Sequence, residues 1–215
     1  MKIFFIRLIS MIIGLFICMV GVVLMINANI GYAPWEVFHV GLANKIGLSL
    51  GVTIIIASVI IVIAVTISGE ELGLGTICSM ILPGVYIDLI YFLNIIPKLN
   101  SIIFGIPMLI AGLFIMALGT YFYIKSAFGV GPRDNLMVVL ARKTKLPVGL
   151  CRSIIELLVT AIGWFLGGMI GVGTVISVIA IGFCVQIIFK IFRFDVTKIQ
   201  HENLKDTFVK LFNKG

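Results

Sequence analysis

Of the 215 residues, 61% are hydrophobic and only 12% are charged, with a formal net charge of +7. Soluble domains run to about half apolar and a quarter charged, so this balance excludes a water-soluble globular domain and implies a chain embedded in a bilayer. The surplus of Lys and Arg needs no nucleic acid to explain it, because sidedness in a membrane accounts for it.

In chain order, Lys2 and Arg7 precede an apolar run over 8–26. That run is too long for a secretory signal and no small-x-small cleavage site follows, so it reads as a retained span over 4–26. At 1.5 Å per residue, about 20 residues cross a ~30 Å hydrocarbon layer. By the same measure, further spans are expected over 49–68, 75–93, 102–124, 147–166 and 174–192. Two shorter pieces, Pro34 to Lys45 and Pro132 to Lys145, follow the first and fourth spans. They cannot cross, and read as amphipathic or re-entrant half-helices. The stretch 193–215 is polar and basic. Leu204, Phe208, Leu211 and Phe212 share a helical face there, so it either lies along the cytoplasmic surface or is a solvated tail.

The chain carries an internal duplication. Gly31, Pro34 and Glu36 return as Gly129, Pro132 and Asp134, each 98 positions later. Gly51, the Gly73-Leu74-Gly75-Thr76 run and Gly84 return at the same offset as Gly149, Gly171-Val172-Gly173-Thr174 and Gly182. An offset held without gaps marks a repeat. It divides the chain into 1–98, 99–192 and the tail 193–215, an all-α polytopic bundle of two three-span repeats, each with its short half-helix. With the N-terminus in the cytoplasm, fourteen of the sixteen Lys and Arg fall on that side and only Lys45 and Lys98 outside. Three spans per repeat then turn the halves in opposite directions, as inverted repeats with both termini cytoplasmic.

The Gly-x-x-Pro-x-Glu/Asp motif has a mechanical reading. Gly31 and Gly129 suit a left-handed helix end, Pro34 and Pro132 the first helical position, and Glu36 and Asp134 the first turn, where they complement the dipole. The motif is either two plain helix starts or two half-helix mouths facing a cavity from opposite sides, with free amides for an anion or polar headgroup. Trp35 and Arg133 are then on opposite sides of the bilayer, Trp35 serving as well as an interface anchor. His39 lies one turn after Glu36, and the pair could carry a proton. Thr76 and Thr174 read as N-caps of the third and sixth spans. Gly14/Gly21 and Gly112/Gly119 mark close packing between spans.

Ionisable groups at depth are costly in hydrocarbon and so carry information. Glu156 is expected ~14 Å into its span, with Arg152 one turn earlier as an i, i+4 partner that could simply neutralise it. Asp88 is expected ~18 Å along its helix, and its repeat partner is Gln186. Both are expected to line a cavity, and Asn29 is a further candidate. The four cysteines form no CxxC pair and the histidines are only two. The pattern therefore calls for no metal and no cofactor. No hydrolase or metalloprotease motif is present, and Asp88 and Asp134 should lie too far apart for an aspartyl dyad, so an enzyme is not expected.

In order and spacing, Asn29 to Glu36, Gly47 to Gly51, Gly73 to Thr76 and Asp88, matched by Gly129 to Asn135, Glu156 and Gly167 to Thr174, resemble the YczE/YyaS/YitT family of bacterial integral membrane proteins. The likeness covers roughly 10–192 and is nearer to the compact YczE-like branch, which lacks a soluble C-terminal domain. It implies a multi-pass protein of the bacterial plasma membrane and supplies no reaction. The expected function is a small transporter or permease, with Asp88 and Glu156 as coupling carboxylates and a small polar or amphipathic metabolite bound between the repeats. The alternative is a non-transporting accessory protein that meets a partner complex through Arg142, Lys143, Lys145 and the tail. Lipid is the certain partner, and a homodimer is one arrangement such a chain can take.

Overall fold

The computed structural model describes residues 2–70, 72–195, 199, 202–204 and 207. Among these there are eight helices and no strand: α1 (Lys2–Asn27), α2 (Pro34–Ile46), α3 (Leu50–Ile67), α4 (Leu74–Leu93), α5 (Ile102–Lys125), α6 (Pro132–Thr144), α7 (Val148–Phe165) and α8 (Val172–Ile191). All but α2 and α6 are long and apolar enough to cross a membrane. The bounds of α6, α7 and α8 fall 98 residues after those of α2, α3 and α4.

Local chemistry sets these limits. Pro34 and Pro132 open α2 and α6, where the missing amide costs nothing. Ser49 caps α3 by accepting from the Val52 amide at 3.2 Å. The expected caps of α4 and α8 need correction. Both helices start two residues before Thr76 and Thr174, whose hydroxyls instead accept from the amides of Gly73 and Gly171 at 3.3 and 3.2 Å. A threonine at the third helical position reaches back to the cap amide, which is a donor the helix itself cannot satisfy.

The centre of the bundle is the α1/α5 pair, which runs antiparallel. Gly14 faces Gly119, and Gly21 faces Gly112 and Met116. A Cβ at Gly21 would stand 2.6 Å from the Gly112 carbonyl. Lipid gives helices no hydrophobic reason to associate, so small residues that admit close van der Waals contact do that work. The contact is reciprocal: Gly14 and Gly112 are repeat equivalents, as are Gly21 and Gly119.

The loops cross-connect in the same reciprocal way. The Gly173 amide donates to the Ile30 carbonyl at 2.8 Å, and the Gly75 amide to the Phe128 carbonyl at 2.7 Å. Gly31 and Gly129 both take φ 116, yet neither ends a helix. The left-handed residues after α1 and α5 are Asn29 (φ 55) and Ala127 (φ 57). Gly31 lies two residues further on, against Gly171, where a Cβ would come within 2.6 Å of its amide nitrogen. Close backbone approach, rather than a helix stop, is what this glycine provides.

One end of the bundle gathers ion pairs. Arg7 meets Glu202 at 2.6 Å and the Ser126 carbonyl at 2.8 Å, while Arg142 meets Glu70 at 2.8 Å. The amides of Glu202 and Leu204 donate to Ala127 and Leu72. Residues 202–204 are therefore docked, not solvated. The proposed amphipathic face of the tail rests mainly on Phe208, Leu211 and Phe212, which lie outside the described residues.

Candidate functional site

A cavity of about 380 Å³ lies where the starts of α2 and α6 approach each other. Its walls come from every helix, and they pair by repeat. Trp35 and Arg133, Glu36 and Asp134, Ile54 and Arg152, Ser58 and Glu156, and Pro83 and Ile181 are equivalents 98 apart, and all ten line it. The two halves thus contribute the same positions with different chemistry.

Arg133 dominates the middle. Its guanidinium sits 4.7 Å above the Trp35 ring, 3.6 Å from Glu36 Oε1 and 3.3 Å from His39 Nδ1. Stacking on an aromatic face and a nearby carboxylate both stabilise this half-buried cation. An Nδ1 that accepts from Arg133 leaves the imidazole proton on Nε2. Glu36 and His39 are buried on α2, which is not one of the six spanning helices. Burial pushes the Glu36 carboxyl above its ordinary range, with Arg133 opposing. Burial and the Arg133 charge together hold His39 well below its ordinary value, so it is neutral.

The first turns of α2 and α6 both reach this cavity: Trp35 and Arg133 touch, and Asp134 lines it. The reason is that α2 and α6 both point their first turns inward, and an arginine side chain bridges the remaining gap. Pro34 and Pro132 fix those first turns. The two half-helix starts share one cavity.

Arg152 and Glu156 form the expected i, i+4 pair at 2.8 Å, with Arg152 half exposed and Glu156 more buried. Asp88 is elsewhere. It lines a second cavity of about 430 Å³ with Asn27, Asn44, Tyr91 and Lys98. Its carboxylate accepts from Ser49 Oγ at 2.6 Å and from the Gly51 amide at 2.8 Å. Asp88 and Glu156 therefore do not act in one chamber. Gln186 is exposed and lines neither cavity, and Asn29 serves as the turn after α1. A polar residue at the same repeat position is no guarantee of the same surroundings, because the helices beside it differ.

Ser58, Ser79, Thr120 and Tyr123 also line the central cavity and escaped the sequence reading. A hydroxyl inside an apolar span gives a weak signal, since it can return its hydrogen bond to its own helix, as Thr120 does to Met116. For Ser58 a better signal existed, since its repeat equivalent is Glu156.

The model of a family of unknown function, DUF6198, matches residues 5–190. The chain is 33% identical to the uncharacterized membrane protein YczE of Bacillus subtilis (strain 168) over 171 residues, covering 79% of each chain. It is 32% identical to the uncharacterized protein YyaS of the same strain over 170 residues, 77% of this chain and 84% of that one. An uncharacterized protein of Haemophilus influenzae is 28% identical over 167 residues, 78% of this chain and 76% of that one. No solved structure matches. With six apolar helices and this kinship, the chain belongs to the DUF6198 family and is a multi-pass membrane protein.

Proposed function

We propose that this protein is a small-solute transporter built from two inverted three-span repeats, with the Glu36–Arg133 chamber as its binding site. The observation that carries the reading is the chamber itself. It is lined by repeat-equivalent residues, flanked by two half-helix starts, and brings Glu36, Asp134, Glu156, Arg133 and Arg152 together in an otherwise apolar bundle. Charged groups within a membrane domain are costly and mark solute or ion pathways. Broken helices that meet at a repeat interface are the usual setting for such sites. The antiparallel, reciprocal packing of α1 and α5 supports the inversion. The strong Lys/Arg bias supports cytoplasmic termini.

The solute is a small polar or amphipathic molecule. It meets a stacked cation, carboxylates and hydroxyls on one part of the wall and aliphatic side chains such as Val22 and Ile54 on another. Glu36 and Glu156 are the coupling carboxylates in this reading. Asp88, which faces the other cavity, acts on the position of α3. The accessory-protein alternative has less support, because Arg142 and Lys143 are turned onto Glu70 and Ser68 of their own chain.

The test is flux in proteoliposomes. A panel of radiolabelled small cations, anions and zwitterions is offered with and without a pH gradient, to wild type, Arg133→Ala and Glu36→Gln. Uptake of at least one solute by wild type, lost in both variants while they remain folded, is the expected result. Equal uptake by folded wild type and both variants removes the chamber from the mechanism.

A further inference from the structure

The two repeats use the same glycines differently. In the first, Gly51 at the start of α3 and Gly84 in the middle of α4 are buried back to back, and a Cβ on either would overlap the other's carbonyl. Asp88, one turn beyond Gly84, fastens this contact by accepting from Ser49 and from the Gly51 amide. In the second repeat the equivalents are Gly149 on α7 and Gly182 on α8. Both are exposed, and no atom lies within 4 Å of where either Cβ would stand. Along the membrane-crossing pairs, α3 packs on α4, but α7 has no comparable contact with α8. The gap flanks the central chamber, since Arg152 and Glu156 of α7 and Ile181 and Val185 of α8 line it.

A glycine inside an exposed helix is less favourable there than alanine, because it loses more backbone freedom. Gly182 stands in the middle of α8 at that disadvantage, with no neighbour in this structure to require it. We infer that α7 and α8 close on each other through Gly149 and Gly182 in a second conformation, as α3 and α4 do through Gly51 and Gly84 here, and that the Asp88 latch opens in exchange. The structure is then the form closed between α3 and α4 and open between α7 and α8. The occupant of the α7/α8 gap is this chain's own helix, because the matching pair at the other end shows how two such glycines seat against each other. The purpose of the motion, exposing the chamber on alternate sides, rests on the transport reading, but the motion itself does not.

Two measurements test it without any solute. In a background with Cys18, Cys78, Cys151 and Cys184 replaced, Gly149→Cys/Gly182→Cys is oxidised in liposomes. An intramolecular disulfide is expected, since bridging requires the two Cα atoms to come within about 7 Å. Asp88→Ala should speed it about tenfold, because hydrogen bonds to a charged group are lost from the opposing latch. No disulfide, a disulfide only between two copies, or no effect of Asp88→Ala overturns the inference. If that background does not fold, the wild-type background decides through hydrogen exchange in Gly149→Leu/Gly182→Leu. Blocking closure between α7 and α8 should slow exchange severalfold at residues 51–55, in the opposite repeat, and unchanged exchange there overturns the inference. A disulfide that forms in a protein with no measurable flux would retire the transport reading and leave the motion standing.

Discussion

The first turn of α3 and the first turn of α7 stand 98 residues apart at matching positions, yet one is sealed and the other open. At α3, Ser49, Gly51 and Asp88 make a compact knot of charge-assisted hydrogen bonds. At α7 the same places hold Pro147, Gly149 and, on α8, the exposed Gln186. Proline offers no side-chain hydroxyl to a neighbour, and glutamine carries no charge to strengthen a bond. The half-helices differ in the same spirit. α2 is bound to α7 by Gly41 and Gly163, whose backbones leave no room for a Cβ. Their equivalents, Val139 of α6 and Val65 of α3, are buried β-branched side chains that keep the backbones apart. Duplicated sequence thus fixes the same helices twice, while single substitutions decide which seams are tight.

That contrast can be broken most forcefully at the glycines. Gly51→Leu should cost more than about 3 kcal/mol, or prevent folding, because the Gly84 backbone cannot retreat from a buried contact. Gly149→Leu should stay within about 0.5 kcal/mol of wild type, since nothing opposes it. Thermal scans and elution profiles in detergent read both, and equal effects would dissolve the distinction between the seams.

The paired arginines come next. Arg133→Ala leaves Glu36 buried without its cation and should cost about 1–3 kcal/mol. Arg152→Ala removes a half-exposed i, i+4 pair and should cost about 0.5 kcal/mol or less. The same scans separate them.

Asp88→Ala should then lower stability by about 1–2 kcal/mol through its two lost hydrogen bonds. Gln186→Ala, at an exposed equivalent, should change it by less than about 0.5 kcal/mol.

The smallest effect concerns pH at His39, whose repeat equivalent is Met137. Burial and Arg133 hold the folded imidazole well below its ordinary 6.5. The unfolded chain therefore takes up a proton first as pH falls, and the stability His39 contributes above that value is lost below it. Between pH 7.5 and 5.5 wild type should lose about 1 kcal/mol relative to His39→Met. Glu36 works in the opposite sense, since its raised carboxyl favours the folded state on acidification. The difference between the two proteins, not the wild-type slope, is the quantity to measure.

Much of the architecture was legible because hydrocarbon imposes it. Spans, half-helices and the 98-residue offset follow from run length, proline position and glycine spacing, and the helix bounds agree to within a few residues. The site was only partly legible. Glu36, Arg133, Asp134, Arg152 and Glu156 were singled out, but Asp88 was grouped with them because depth along a helix says nothing about which way a side chain turns. The stacking of Arg133 on Trp35 and its approach to His39 could not be read, since residues 35 and 133 are distant in sequence and belong to different repeats.

By itself the sequence determined a membrane chain of repeated helices, because apolar length and unsatisfied backbone groups leave a spanning segment no alternative to helix. Only the tertiary structure decided that the two half-helices meet in one chamber, that Asp88 belongs to a different one, and that one seam is closed while its counterpart stands open. Those outcomes depend on fractions of an ångström between backbones and on the direction of a few long side chains, and neither is written in the spacing of residues along the chain.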